Sequence, residues 1–345
     1  MLRAPVKHTV NPWLQITLMV ITSVILTVTI YYNLHMFDAR EFMPRILQLS
    51  SEEKGRFAST AANVETGIYF YEFSEFDMIR GKFTVDLTLW FRYTPSEISL
   101  EQLEKFYFEK AEVKSRSPAR TRKKGDKVIT EYDMRISFAF PLSFKFFPLD
   151  DHRLDFTLIN YDLSPAQINV ITSNKNIITS PEIHFEGWTV FKKQAQTGYI
   201  EHAVDIAQSN EEKVMHPRIV FSIDFERAGV RQIASIFVPL IIIFFVTLFS
   251  FSIDPADSDF YNVIAMSSTS IFALIAYRFV IETISPPTGY FTLSDYMFIF
   301  FLLATSVILF INTLGRSISG RVRSIATMVL HLLTILLFVY LFIGQ

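Results

Sequence analysis

Five long stretches almost free of charge bracket a middle that is dense in it, and this block pattern fixes what the chain can become. A helix crossing a bilayer needs roughly 20 mostly apolar residues, because hydrocarbon gives backbone polar groups no partner except one another. Trp13–Tyr32, Ile233–Phe251, Tyr261–Ile281, Tyr296–Leu314 and Ile325–Phe342 meet that requirement, and Arg278 is the only Asp, Glu, Lys or Arg within them. Half of the 345 residues are hydrophobic and 35 are Phe, yet the charges crowd between the first stretch and the second. Such unevenness means separate membrane and aqueous parts rather than one soluble core.

The expected fold class is a membrane protein: an extracellular or periplasmic β-sandwich followed by a four-helix transmembrane bundle, with one more transmembrane helix at the N-terminus. Residues 1–12 form a short tail, 13–34 the anchor, 35–61 a linker that continues helically over 39–60, and 62–232 the β-domain. Residues 233–345 form the bundle, with spans at 233–251, 261–281, 296–314 and 325–342. The first stretch reads as an uncleaved anchor, being longer than the 7–15-residue core of a signal peptide and lacking a small-x-small cleavage site after it. Arg3 and Lys7 precede it, which places the N-terminus in the cytoplasm and the β-domain outside. Counting crossings from there puts the loop bearing Arg316, Arg321 and Arg323 back in the cytoplasm. The expected location is the cell (inner) membrane, multi-pass.

Alternation dominates the middle. Phe83, Val85, Leu87, Leu89 and Phe91 share one face of a strand, as do Leu154, Phe156 and Leu158, and again Ile219, Phe221, Ile223 and Phe225. Period two with one apolar face is a half-buried strand, and several such strands between polar turns make a sandwich. Ser96–Phe106 is a short helical candidate. The basic run Lys114, Arg116, Arg120, Arg122, Lys123, Lys124 and Lys127 reads either as a solvated hairpin or as a contact for lipid headgroups or an acidic partner.

Enzyme signals are weak. The chain has no Cys, so disulfides, a thiolate nucleophile and Cys-ligated metals are excluded. Its seven His are scattered, and no phosphate-cradling loop or nucleophile elbow occurs. No catalytic residue, metal or cofactor is expected, and a net charge of −2 gives no reason to expect nucleic acid.

Three segments, in order, carry a resemblance. Phe147-Pro148-Leu149-Asp150-Asp151-His152 is one, and Arg227 followed by Pro239 twelve residues later is the second. The third is Glu282-Thr283-Ile284-Ser285-Pro286-Pro287-Thr288-Gly289-Tyr290. With the strands and four spans they resemble the pentameric ligand-gated ion channel family, the Cys-loop receptors and their bacterial relatives. The likeness is to the bacterial type that lacks the cysteines; His152 stands where the family usually has Gln, and the N-terminal anchor is extra. The resemblance implies a homo-oligomer of five copies in contact with membrane lipids, a channel permeable to cations, and gating by a small ligand or ion of unknown identity at the outer domain. A non-conducting receptor on the same fold is the alternative.

It further implies that Ala265, Thr269, Phe272, Ala276 and Phe279 face the pore. Their steps of three and four keep one helical face, with Phe272 either a closing ring or ordinary packing. Ser267, Ser268, Thr269 and Ser270 suit a wet lumen or a helix–helix seam. Arg278 within the span calls for a partner, and Glu282 stands one turn on. Asp254, Asp257 and Asp259 precede the pore helix, either as a charge-selecting mouth, chiefly Asp257 and Asp259, or as helix caps. The family places Asp150, Arg227, Pro148, Pro286 and Pro287 where its two domains couple, with an Asp150–Arg227 pair and Glu75 or Asp77 as a third member. Phe106, Tyr107, Tyr161 and Tyr199 lie where its ligand loops fall, and read equally as core.

Overall fold

The computed structural model describes residues 9–41, 43–57, 60–203, 213–254 and 259–343. Contacts divide the chain into a helical unit (residues to Asp38, the loop Phe144–Asp150, and everything from Gly229) and a β unit (Ala39–Ser143 and Asp151–Ala228). The loop Phe144–Asp150 thus departs from the expected boundaries, counting with the helices although strands flank it in sequence.

The helices are α1 Pro12–Leu34, α2 Ser51–Phe57, α3 Leu100–Leu103, α4 Arg231–Phe249, α5 Phe260–Ile284, α6 Leu293–Thr313 and α7 Gly320–Ile343. Among the described residues five helices, α1 and α4 to α7, are long and apolar enough to cross a membrane, which supports a multi-pass membrane protein. Their starts follow local chemistry: Asn11 accepts from Trp13 N at 3.0 Å with Pro12 in the first turn, and Thr292 and Asp295 form a reciprocal capping box at α6.

The first helix is not a bare anchor. It packs along α7 and touches α4, burying Gln15, Thr22, Leu26 and Thr29 on one face. Gln15 Nε2 donates to Leu248 O at 2.9 Å, and Ser252 Oγ donates to Gln15 Oε1 at 2.9 Å. Thr22 Oγ1 lies 2.8 Å from His331 Nδ1, and Asn33 Nδ2 donates to Phe342 O at 2.8 Å. In hydrocarbon such bonds satisfy groups that would otherwise have no partner. Arg323 also differs from expectation. It is not a loop cation but a fully buried residue of α7, donating to Asn312 Oδ1 and Gly315 O, both at 3.1 Å, so Arg316 and Arg321 carry that turn's exposed charge.

The β unit holds β1 Ala62–Asp77, β2 Lys82–Tyr93, β3 Tyr107–Phe108, β4 Ala111–Arg116, β5 Arg120–Lys124, β6 Lys127–Ala139, β7 His152–Ile159, β8 Ile168–Ile171, β9 Ile177–Thr179, β10 Trp188–Ala203 and β11 Lys213–Arg227. One sheet runs β4-β6-β2-β1-β8, with β5 on β6 and β9 on β1; the other runs β10-β11-β7-β3. The apolar alternates of β2, β7 and β11 are all buried in one core shared by both sheets. That core is aromatic: Phe156 meets Phe70 and Phe138, each at 4.9 Å between ring centroids. The basic run spans β4, β5 and the turn into β6, both strands pairing with β6; Arg122 pairs with Glu131 at 3.1 Å, Arg120 pairs with Asp133, and Arg116 lies over the Tyr132 ring.

The linker also corrects the sequence reading. Among the described residues helix continues only over Ser51–Phe57, while residues 39–41 and 43–49 form an extended strap held to the second sheet. Leu47 bridges Tyr199, and Gln48 Nε2 donates to Thr197 O at 2.7 Å. A Cβ on Gly198 would come 2.5 Å from Leu47 O, so the strap's approach requires glycine there. Alternates of β7 and β11 that face away from the core are buried too, among them Thr157, Arg218, Ser222 and Asp224. Arg153 grips Asp224 with two bonds, 2.5 and 3.0 Å. At the other end of the domain, Ser96–Phe106 yields only the single turn Leu100–Leu103, capped by Ser99 and Gln102.

The α1 seam generates a prediction. Gln15→Leu and Thr22→Val should each lower the thermal stability of the solubilised chain by about 0.5–1.5 kcal/mol, the range of interhelical bonds in membranes. Two turns separate the residues, so the double variant should lose close to the sum. Thermal unfolding of the three variants checks this, and no loss in either single variant would mean that the seam contributes nothing.

Candidate functional site

Among the spans, α5 has an unusual exterior. Val263, Ser267, Ser270, Leu274 and Ile281 are buried, and the helix packs on α4 and α6. The opposite face exposes Ala265, Thr269, Phe272, Ala276 and Phe279, all five of the positions expected to face a pore. Phe272 and Phe279 are 70% and 67% exposed, far from the packing alternative within one chain. Exposed faces of the other spans are greasier: Val238, Ile242 and Val246 on α4, and Ile299, Leu303, Val307 and Phe310 on α6.

The hydroxyls divide in an informative way. Ser267, Ser268 and Ser270 each bond to a carbonyl one turn back, and Ser267 also accepts from Asn312 Nδ2 at 2.7 Å. Ser267 therefore belongs to a seam. On exposed surfaces elsewhere, Thr17, Thr27, Ser306 and Thr313 likewise return their hydroxyls to their own helix. Thr269 makes no such bond. A hydroxyl left open is costly in hydrocarbon and costs nothing in water.

Several contacts fix how α5 is turned. Asn312 on α6 reaches Ser250 Oγ and Ser267 Oγ, each at 2.7 Å, and Arg323 backs Asn312 from α7. Near the other end Pro239 interrupts α4. Its missing N–H leaves the Ser235 carbonyl without a helical partner, and the Tyr277 hydroxyl of α5 donates to that carbonyl. The Arg278–Glu282 pair forms at 3.1 Å, and Arg278 has a second partner in Asp295, the residue that caps α6. Sequence reasoning missed Asp295 because its helix start is seventeen residues away.

At the start of α5, Asp259 holds the N-cap position, but its carboxylate caps no backbone N–H and only meets Asn262 Nδ2 at 3.5 Å. Asp254 is exposed, and Asp257 lies outside the described residues. After α5 the linker buries Pro286 and exposes Pro287. The loop Phe144–Asp150 is hooked to the next helix: Leu293 N donates to Lys145 O at 2.8 Å and Ser294 N to Phe147 O at 3.2 Å. Pro148 and Asp150 are buried in that loop.

In the β unit Arg227 closes β11 opposite Trp188, its guanidinium 4.4 Å from the ring centroid. Within their own hairpin Glu75 accepts from Thr84 and Asp77 pairs with Arg80. His152 is buried with Nδ1 2.7 Å from Glu41 Oε1. Of the ligand candidates, Phe106 packs in the core against Phe91 and Tyr132, and Tyr199 is buried with its hydroxyl on Ile168 O. Tyr107 and Tyr161 stack at 5.1 Å, and burial raises the Tyr107 hydroxyl above the ordinary phenol range.

The proline site yields a prediction. Tyr277→Phe strands the Ser235 carbonyl and should destabilise the chain by about 1–3 kcal/mol. Pro239→Ala restores a backbone donor, so adding Tyr277→Phe to Pro239→Ala should cost clearly less. Equal costs in the two backgrounds, read from thermal unfolding, would show that the hydroxyl does not serve that carbonyl.

No protein-family model matches the chain, and no curated protein matches it.

Proposed function

We propose that the chain is one subunit of a homopentameric, cation-permeable ion channel of the pentameric ligand-gated type, with α5 of each copy lining the pore. The observation that carries this reading is the exposed α5 face bearing Ala265, Thr269, Phe272, Ala276 and Phe279, on which the Thr269 hydroxyl lacks a helical partner. A lone copy would present that face to lipid; a closed ring of copies turns it inward to water. Phe272 then forms an aromatic constriction that closes by dewetting. Asp259, free of capping duty, adds negative charge at one mouth and concentrates cations.

In this reading the N-terminus is cytoplasmic, the β unit is a periplasmic or extracellular sensor for an unidentified stimulus, and the host is the inner membrane. The exposed Arg316 and Arg321 between α6 and α7 support that orientation. Buried Asp150 and half-buried Arg227, each at an end of its own segment, are the residues assigned to couple sensing to the helices.

Single-channel recording from the purified protein in bilayers tests the proposal, beside mass measurement in detergent. The expected mass is fivefold that of one chain; a monomer overturns the pore. Phe272→Ala should give standing current without stimulus. Because Phe272 is exposed in the single chain, the change should alter the folding stability of that chain by no more than about 0.5 kcal/mol. A loss of about 3–5 kcal/mol without current would identify a packed core residue instead. Asp259→Asn should shift the reversal potential in a salt gradient toward weaker cation preference.

A further inference from the structure

The strap (residues 39–41 and 43–49) does not lie flat on the second sheet. Beneath it, wholly within the β unit, is a cavity of ≈ 1040 Å³, large enough for a small organic molecule. Its lining mixes charge with apolar surface from Leu47, Tyr107, Phe140 and Ile200.

The acidic residues in the wall are already supplied with donors. Glu41 accepts from Ser143 N, from Arg153 N at 3.1 Å, and stands 2.7 Å from His152 Nδ1. Glu109 is held by Arg218. Asp155 accepts from Ser222 Oγ at 2.5 Å, and burial raises its carboxyl above the ordinary range. Glu201 is engaged as well.

The basic residues are in surplus. Arg153 is committed to Asp224, outside the lining, and Arg40 is engaged. Arg218 is 7% exposed; it donates to Glu109 and to Arg45 O at 2.7 Å, and its buried Nε has no partner. The side chains of Arg45 and Lys110 have no carboxylate partner among the described residues. Lys110 also sits at φ 54, the one described non-glycine residue in the left-handed region, a conformation that surrounding structure must enforce. The cavity therefore offers spare donors, no spare acceptor of comparable charge, and apolar patches from Leu47, Tyr107, Phe140 and Ile200 beside the polar face of the sheet.

We propose that this cavity binds a small organic anion: a carboxylate held by Arg45 and Lys110, carried on an aromatic or branched apolar body that lies along Tyr107, Phe140 and Leu47. A guanidinium matches the geometry of a carboxylate with two parallel bonds, and a lysine adds a point charge. The partnerless Nε of Arg218 is a third donor in the same wall.

The experiment is calorimetric titration of the full solubilised chain with benzoate, with benzamide as the neutral isostere and inorganic phosphate as an anion without an apolar body. Benzoate should saturate, and both controls should bind at least about tenfold more weakly, the factor expected for removing one charged contact or the buried ring. Arg45→Gln removes the guanidinium but keeps the backbone carbonyl that Arg218 uses, and Lys110→Asn removes the ammonium with a residue that tolerates positive φ. Each should raise the Kd for benzoate at least about tenfold, while Arg45→Lys should retain most of the affinity. Absence of saturable benzoate binding, unchanged affinity in both charge-removing variants, or phosphate binding as tightly as benzoate would each overturn the proposal. The readout needs no current, so its failure is distinct from failure of the channel reading.

Discussion

Hydrocarbon gives a polar group nothing to bond to, and the helical unit is organised around that constraint. Gln15, Thr22 and Asn33 are met by Leu248, His331 and Phe342, so α1 is tied into the bundle at three levels. Pro239 opens one carbonyl on α4, and Tyr277 fills it from α5. Arg323, an expensive residue to bury, is spread over Asn312, Gly315 and the face of Phe251. Ser285, Thr305 and His331 each keep a buried polar atom without a partner among the described residues, whereas Thr269 leaves its hydroxyl open on an exposed face, where water would serve it at no cost.

The β unit meets the complementary problem. Its second sheet has an apolar face in the core and a polar face that an aqueous domain would ordinarily leave wet. The strap covers that polar face. Burying charges requires partners, and they are supplied in pairs: Arg153 with Asp224, Arg218 with Glu109, His152 with Glu41. Along the cavity the exposed Arg45 and Lys110 have no carboxylate partner among the described residues, and the proposed anion site rests on that imbalance.

Some of this was legible in particular residues. The five spans follow from apolar length, and boundaries moved by only a few residues at the ends because caps, not hydropathy, decide them. The strands of β2, β7 and β11 follow from alternation, which fixes the inward face without reference to any partner. The Arg278–Glu282 pair follows from i,i+4 spacing, whereas the α5 face bearing Phe272 was singled out by the family resemblance. The linker misled: charged, moderately helical residues over 39–60 gave no sign that half of them would lie extended on a sheet. The loop charge assigned to Arg323 misled for a related reason, since one cation in a sequence looks the same whether wet or buried.

What the amino-acid sequence determined by itself is what depends on local period and length: which segments are long and apolar enough to cross a membrane, which strands have one apolar face, and which α5 residues share a side. Those properties belong to a single element and its solvent. The tertiary structure alone decided the pairings between distant residues: Asp295 for Arg278, Tyr277 for the carbonyl freed by Pro239, His331 for Thr22, and Glu41 for His152. It also decided that the strap stands off its sheet and leaves a cavity with two spare cations. These depend on where separate elements come to rest, and their energy is realised only when burial removes the water that would otherwise serve each group equally well.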